Sequence, residues 1–142
     1  MASKMTLEIV TPEGRIYFGD AEMVTLPATE GQMGVLPQHV PLMTRITAGE
    51  IIVRKDGHDT LLAVGEGLVE ITADHVTVLT DMAVAAEHIN EAKADEARLR
   101  AEERLREKLS EEEVASVNAS LAHALVQLHV KRRHHEHQQH HS

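Results

Sequence analysis

The sequence predicts an antiparallel β sandwich or barrel followed by a hairpin of two α-helices. Short apolar runs separated by turn residues occupy roughly the first 80 positions. From about Glu87 onward, apolar residues recur every three or four positions, which is the spacing of one helical face. Ser110 then opens a Ser-Glu-Glu-Glu stretch, a capping box that marks the start of a second helix.

The strand region is recognised by runs of three to six residues that alternate or stay apolar. The predicted strands centre on residues 7–10, 15–18, 23–26, 51–53, 61–64, 69–71 and 76–79. Asp56-Gly57 lies between two of these runs and suits a tight hairpin turn, because both residues tolerate positive φ angles. Many short strands without an intervening helix favour an all-β domain over residues 1–86.

The helical hairpin is predicted over residues 87–130. The apolar stripe of the first helix is Ala94, Ala97, Ala101, Leu105 and Leu109. The stripe of the second is Val114, Val117, Leu121, Leu125 and Leu128. Glu102 and Arg106 are one of two acid-before-base pairs that suit an exposed helix. Alanines fill much of the second helix and bury little area each, so at roughly 25 cal/mol per Å2 the hairpin is expected to be held lightly.

Composition excludes several classes of function. The chain of 142 residues has no cysteine and a net charge of −9, so thiolate chemistry and a basic nucleic-acid interface are not expected. Neither a signal peptide nor an apolar run of roughly 20 residues is present, which predicts a soluble cytoplasmic protein. Glu66, Glu70 and His39 are the catalytic candidates, but no partner for them is suggested by position, and no catalytic residue is predicted.

The C-terminal segment, residues 131–142, is basic and rich in histidine. His134, His135, His137, His140 and His141 could chelate a divalent ion, since neutral imidazole is a common ligand. A disordered tail with adventitious metal affinity is the preferred interpretation, and no functional metal site is predicted.

The first helix also carries a basic cluster. Its members are Arg98, Arg100, Arg104, Arg106 and Lys108. Two interpretations stay open at this point: an ordinary solvated helix surface, or a docking surface for an acidic partner.

One loop carries a family resemblance. Residues 30–44 read EGQMGVLPQHVPLMT and resemble the signature stretch of ATP synthase epsilon subunits. Residues 7–13, 63–71 and 76–81 are similar to further stretches of that family and occur in the same order. The resemblance covers roughly residues 5–130.

The resemblance implies a sandwich of about ten strands with a two-helix C-terminal domain. It implies a non-catalytic central-stalk subunit at the cytoplasmic face of the bacterial inner membrane, with the gamma subunit, the c ring and the alpha and beta subunits as partners. The residues that would contact the c ring or gamma are Glu30, Gly31, Gln32, Met33, Gln38, His39, Val40, Pro41, Leu42 and Thr44. The basic cluster of the first helix would then inhibit ATP hydrolysis. The alternative is a free-standing adaptor with the same sandwich-plus-hairpin build.

Departures from the family pattern bear on ATP binding. Members that bind ATP on the hairpin carry an Asp and an Arg where this chain has Asn90 and Lys93. They carry arginines where it has His123 and Gln127, while Arg100 is retained. Lysine lacks the planar fork that arginine offers a phosphate. No cofactor is therefore expected. Gln32 and Gln38 also replace an acidic residue and a glycine that are usual in the loop.

Overall fold

The computed structural model describes residues 4–141, with side-chain surroundings up to Glu136, and contains ten strands followed by helices. The strands are β1 Met5–Thr11, β2 Gly14–Ala21, β3 Met23–Ala28, β4 Gly31–Val35, β5 Leu42–Ile46, β6 Gly49–Lys55, β7 His58–Val64, β8 Gly67–Ile71, β9 His75–Thr80 and β10 Ala83–Ala85. A 3-10 turn, Ala86–His88, leads to α1 Glu91–Arg104 and α2 Glu111–His141.

The strands form one curled sheet in the order β10-β7-β6-β3-β5-β8-β9-β1-β2, with β4 paired to β3. Among the described residues, β1 and β9 form the one parallel pair, and the other pairs are antiparallel. The predicted sandwich is confirmed, with this parallel pair as an exception to the antiparallel expectation. β1 and β9 can run parallel because the intervening strands supply the long crossover that a parallel pair needs.

The core of the sandwich lies inside the curl. Met5, Leu7 and Ile9 alternate inward along β1 and are at most 2% exposed. β7 differs, because four consecutive residues from Leu61 to Val64 are all buried. A strand buried on both faces must be covered from outside as well as from inside.

α2 provides that outer cover. Leu61 and Ala63 on β7 form a second apolar cluster with Val130 of α2, and Ile52 and Val126 pack against it. α1 packs chiefly against α2 rather than against the sheet. The hairpin is therefore attached to the sandwich through its second helix.

The buried stripe of α2 differs from the predicted one. Val117 and Leu128 are buried as expected, but Val114 is 37% exposed and Leu125 is 47% exposed. Ala124, 3% exposed, is buried instead. Because α2 contacts α1 on one side and the sandwich on another, more than one stripe of the helix is covered: Val117 faces α1, whereas Ala119 and Ala122 face the sandwich.

The C-terminal segment also differs from expectation. The sequence predicts that the hairpin ends at residue 130 and that residues 131–142 are disordered, whereas α2 continues to residue 141. Lys131 Nζ donates to the carbonyl oxygen of Ala86 at 3.0 Å, and Arg133 Nη1 lies 2.9 Å from Glu50 Oε1. The segment contains no glycine or proline to end the helix, and these contacts hold its first turn against the sandwich.

The capping box is confirmed. The Ser110 hydroxyl oxygen accepts from the Glu113 backbone N–H, and the Glu113 carboxylate accepts from the Ser110 N–H, each at 3.2 Å. In α1, Arg98 bridges Asp95 at 2.8 Å and Glu102 at 3.0 Å. Glu102 therefore pairs with Arg98, four residues towards the N-terminus, and not with Arg106 as the sequence predicts.

We expect two neighbouring glycines to respond differently to alanine. A Cβ at position 67 would overlap the backbone carbonyl of Leu79, so Gly67→Ala should separate β8 from β9 and cost about 2 kcal/mol of folding stability. A Cβ at position 65 would meet the side chains of Asp81 and His123, which can rotate away. Gly65→Ala should therefore loosen α2 and leave the sandwich intact. Chemical unfolding and hydrogen exchange of α2 distinguish the two effects, and an equal loss of sandwich stability in both variants would contradict this account.

The start of α2 should depend on pH. The hydrogen bonds from Ser110, with Arg104 nearby, lower the pKa of Glu113. A carboxyl whose pKa is lower in the folded state stabilises the fold above its unfolded pKa, and this contribution is lost as the pH falls through the folded value. Ser110→Ala should cost about 1 kcal/mol of helix stability and weaken that pH dependence. Amide exchange in the first turn of α2 between pH 6 and pH 3 measures both, with Ser116→Ala as the matched control; equal effects from the two variants would refute the capping role.

Candidate functional surfaces

The predicted loop residues fall into two groups at opposite ends of β4. Glu30 to Met33 form the β3–β4 turn and the start of β4, where Ala28 pairs with Gly31. Residues 38–41 form the connection between the far end of β4 and β5. Leu42 and Thr44 continue along β5 opposite Ile71 and Val69 of β8. We call residues 30–33 the turn surface and residues 36–42 the loop surface.

The loop surface is held by one backbone hydrogen bond to the β8–β9 turn and by one contact within the loop. The N–H of Gln38 donates to the carbonyl oxygen of Ala73 at 2.6 Å, and His39 Nδ1 donates to the carbonyl oxygen of Val40 at 2.7 Å. Gln38 has a φ angle of 69°, the left-handed region that glycine adopts without strain. The loop thus keeps a glycine-like bend although Gln38 replaces the family's glycine. Leu36 and Val40 are 57% and 75% exposed, so the loop presents apolar side chains outward.

An apolar surface on the outer face of β5, β8 and β9 was not identified from the sequence. Met43, Leu68 and Leu79 are 64%, 46% and 51% exposed, and Leu68 lies opposite Leu79 in the β8–β9 register. A shallow cleft of about 120 Å3 runs between them. The alternation of side chains along the strands could have predicted this surface, because Leu68 and Leu79 point away from the face that buries Val69 and Val78. We call these three residues the apolar surface.

The basic cluster was predicted on the first helix, but α1 ends at Arg104, so Arg106 and Lys108 lie in the connection to α2. The cluster is partly neutralised. Hydrogen bonds to Asp95 and Glu102 raise the pKa of Arg98, so the charge of Arg98 is already paired with carboxylates of α1. Arg104 Nη2 lies 3.4 Å from Glu113 at the start of α2. The remaining members, Arg100, Arg106 and Lys108, are exposed and form no ion pair within the part of the chain that the structure describes.

Polar contacts attach α2 to the edge of the sandwich. His123 Nε2 lies 3.2 Å from Asp81 Oδ1, and Gln127 Nε2 lies 3.8 Å from the sulfur of Met82. A cavity of about 220 Å3 between α2 and the sandwich is lined by Glu66, Asp81 and His123 among others. His123 and Gln127, the two departures on the second helix noted from the sequence, therefore both contact the sandwich.

The catalytic candidates are not brought together. Glu66 lines the cavity beneath α2, whereas Glu70 lies beside the apolar surface, and His39 is bound to its own loop. Among residues 4–136, no cluster of His, Cys, Asp or Glu has the arrangement of a metal site. The side chains of His137, His140 and His141 lie outside the described residues. No helix in the described part of the chain is long and apolar enough to span a membrane.

Family models match both structural units. Residues 4–86 match the model described as "ATP synthase, Delta/Epsilon chain, beta-sandwich domain". Residues 87–132 match "ATP synthase, Delta/Epsilon chain, long alpha-helix domain".

Curated relatives agree with the family models. The chain is 42% identical over 128 residues to the ATP synthase epsilon chain of Chromobacterium violaceum, covering 89% of this chain and 91% of that one. It is 44% identical to the epsilon chain of Halorhodospira halophila with the same coverage. A chain in the cryo-EM structure of the Euglena gracilis mitochondrial ATP synthase OSCP/F1/c-ring superposes with a TM-score of 0.69 at 20% identity, over 84% of this chain and 76% of that chain, which shows a shared fold. This chain therefore belongs to the delta/epsilon-chain family of ATP synthases.

Proposed function

We propose that this protein is a central-stalk subunit of a bacterial F-type ATP synthase that couples gamma to the c ring and inhibits ATP hydrolysis through its C-terminal helices. The observation that carries the proposal is the match of both structural units to that family, with relatives above 40% identity along most of the chain. The subunit acts by binding its neighbours, at the cytoplasmic face of the inner membrane, and carries out no reaction of its own.

The two ends of β4 and the apolar surface are assigned to different partners. The turn surface and the loop surface contact the c ring, because they present exposed polar and apolar side chains on short, backbone-held turns. The apolar surface of Met43, Leu68 and Leu79 packs against gamma. An exposed apolar patch on a sheet face is typical of a stable protein–protein contact. Neither assignment requires the hairpin to move, since α2 covers β6 and β7 instead.

The inhibitory role is assigned to the unpaired part of the basic cluster. Arg100, Arg106 and Lys108 are exposed in the docked hairpin and available to an acidic partner. Arg98 and Arg104 already have carboxylate partners in the chain and serve chiefly to stabilise the hairpin. Acidic segments of the alpha and beta subunits would be the partner.

Removing the hairpin should separate binding from inhibition. The full chain and a version truncated after Glu87 are each added to the organism's ATPase complex stripped of this subunit. Both should bind, because the sandwich carries the proposed gamma and c-ring surfaces, and only the full chain should slow ATP hydrolysis. A full-length triple variant, Arg100→Ala with Arg106→Ala and Lys108→Ala, should bind and slow hydrolysis several-fold less.

Two other outcomes would change the assignment. If both chains bind and neither slows hydrolysis, the protein couples rotation without inhibiting. If neither binds, the stalk assignment is wrong and the free-standing adaptor is the better interpretation. The matched control is Arg98→Ala, which removes a paired arginine and should leave contact with the catalytic subunits largely intact.

We further propose that the hairpin does not bind ATP. His123 and Gln127 contact Asp81 and Met82 rather than facing a shared phosphate site, and Lys93 lacks arginine's fork. Isothermal titration should detect no saturable binding below about 1 mM ATP. A variant with Asn90→Asp, Lys93→Arg, His123→Arg and Gln127→Arg is the positive comparison, and sub-millimolar affinity of the unaltered chain would contradict the proposal.

A further inference from the structure

A buried carboxylate lies under the hairpin. Glu50 is on β6, whose outer face α2 covers, and its side chain is only 4% exposed. Neither of its carboxylate oxygens is reached by solvent. Burying a carboxylate is unfavourable unless a cation accompanies it, so this position in the sheet requires a partner from the element that covers it.

Arg133 of α2 supplies that cation. Its Nη1 atom lies 2.9 Å from Glu50 Oε1, and its side chain is 37% exposed. One turn earlier, Val130 is completely buried in the apolar cluster with Leu61 and Ala63. Lys131 donates to the carbonyl oxygen of Ala86 between these two contacts. Residues 130–133 thus make an apolar, a hydrogen-bonded and an ionic contact with the sandwich within a single turn.

We propose that residues 130–133 are a latch that holds the hairpin in the docked state, with Glu50 as its receptor. The inference rests on the proposed inhibitory role of the hairpin and adds the element that sets how often the hairpin is released. The latch lies where α2 passes beyond the end of the hairpin expected from sequence.

The latch works because Glu50 has different surroundings in the two states. When the hairpin is released, water reaches Glu50 and hydrates it. When the hairpin docks, that water is lost and Arg133 replaces it. Without the arginine, docking would still remove water from the Glu50 carboxylate but would no longer place this cation 2.9 Å from it, which makes docking less favourable. Replacing both members of a buried ion pair by apolar residues is often neutral or stabilising. The pair therefore makes docking depend on Arg133, and it does not maximise the stability of the docked state.

The test measures docking in the isolated full-length chain. Because the sequence has no cysteine, spin labels can be attached at Lys55→Cys on β6 and Glu112→Cys at the start of α2, both exposed. Pulsed electron resonance then reports the ratio of docked to released molecules. Arg133→Met keeps an unbranched side chain of similar helix propensity but removes the charge, and should raise the released-to-docked ratio at least tenfold.

Two controls isolate the ion pair. Arg132→Met removes the neighbouring charge, which is 67% exposed and lies 4.0 Å from Glu91, and should leave the ratio unchanged. Glu50→Leu combined with Arg133→Met should restore docking, because no charge is then buried. Truncation after Val130 should release the hairpin as Arg133→Met does, whereas truncation after Arg133 should not.

The outcomes are decisive for the latch. An unchanged ratio in Arg133→Met, or failure of the double variant to restore docking, overturns it. Circular dichroism of each variant verifies that the helices are folded when released. Because the distance is measured without the ATPase complex, a failed latch is distinguishable from a failed inhibitory role: the latter appears in the ATPase assay, as a full chain that binds the complex without slowing ATP hydrolysis.

Discussion

The outer face of β7 is apolar, and the arrangement of the C-terminal half depends on its being covered. Leu61 and Ala63 alternate with Leu62 and Val64, which point into the sandwich, so the end of this strand is apolar on both faces. α2 covers this face with Val126 and other apolar residues. Once α2 is docked there, α1 is positioned by its seam with α2 and needs little contact with the sheet.

The docked hairpin combines a weak contact with a stronger one. The seam between the helices includes small residues such as Ala101, which bury little area each. The contact of α2 with the sheet adds larger apolar side chains and the ion pair of the buried Glu50 with the partly exposed Arg133. Release of the helices from the sandwich therefore differs physically from separation of one helix from the other. Only release from the sandwich involves the buried carboxylate of Glu50, and so only release depends on Arg133.

The surfaces proposed for partner binding are independent of this contact. The loop surface and the apolar surface lie on strands and turns that α2 does not cover, so the sandwich can stay bound while the hairpin is docked or released. In the docked state, part of the basic cluster is exposed and part is neutralised by carboxylates in the chain. This division suits a subunit with one permanent role in the rotor and one conditional role in inhibition.

The sequence by itself determined the order of the elements, the change from strands to helices, the capping box at Ser110 and the family. These depend on local periodicity and on motifs whose residues are adjacent in the chain. Only the tertiary structure decided which faces of α2 are buried, that β1 pairs in parallel with β9, and that the apolar surface exists. It also brought Arg133 to Glu50, 83 residues earlier in the sequence. Such contacts join residues far apart in the chain, and no local pattern encodes which distant face an amphipathic element will meet.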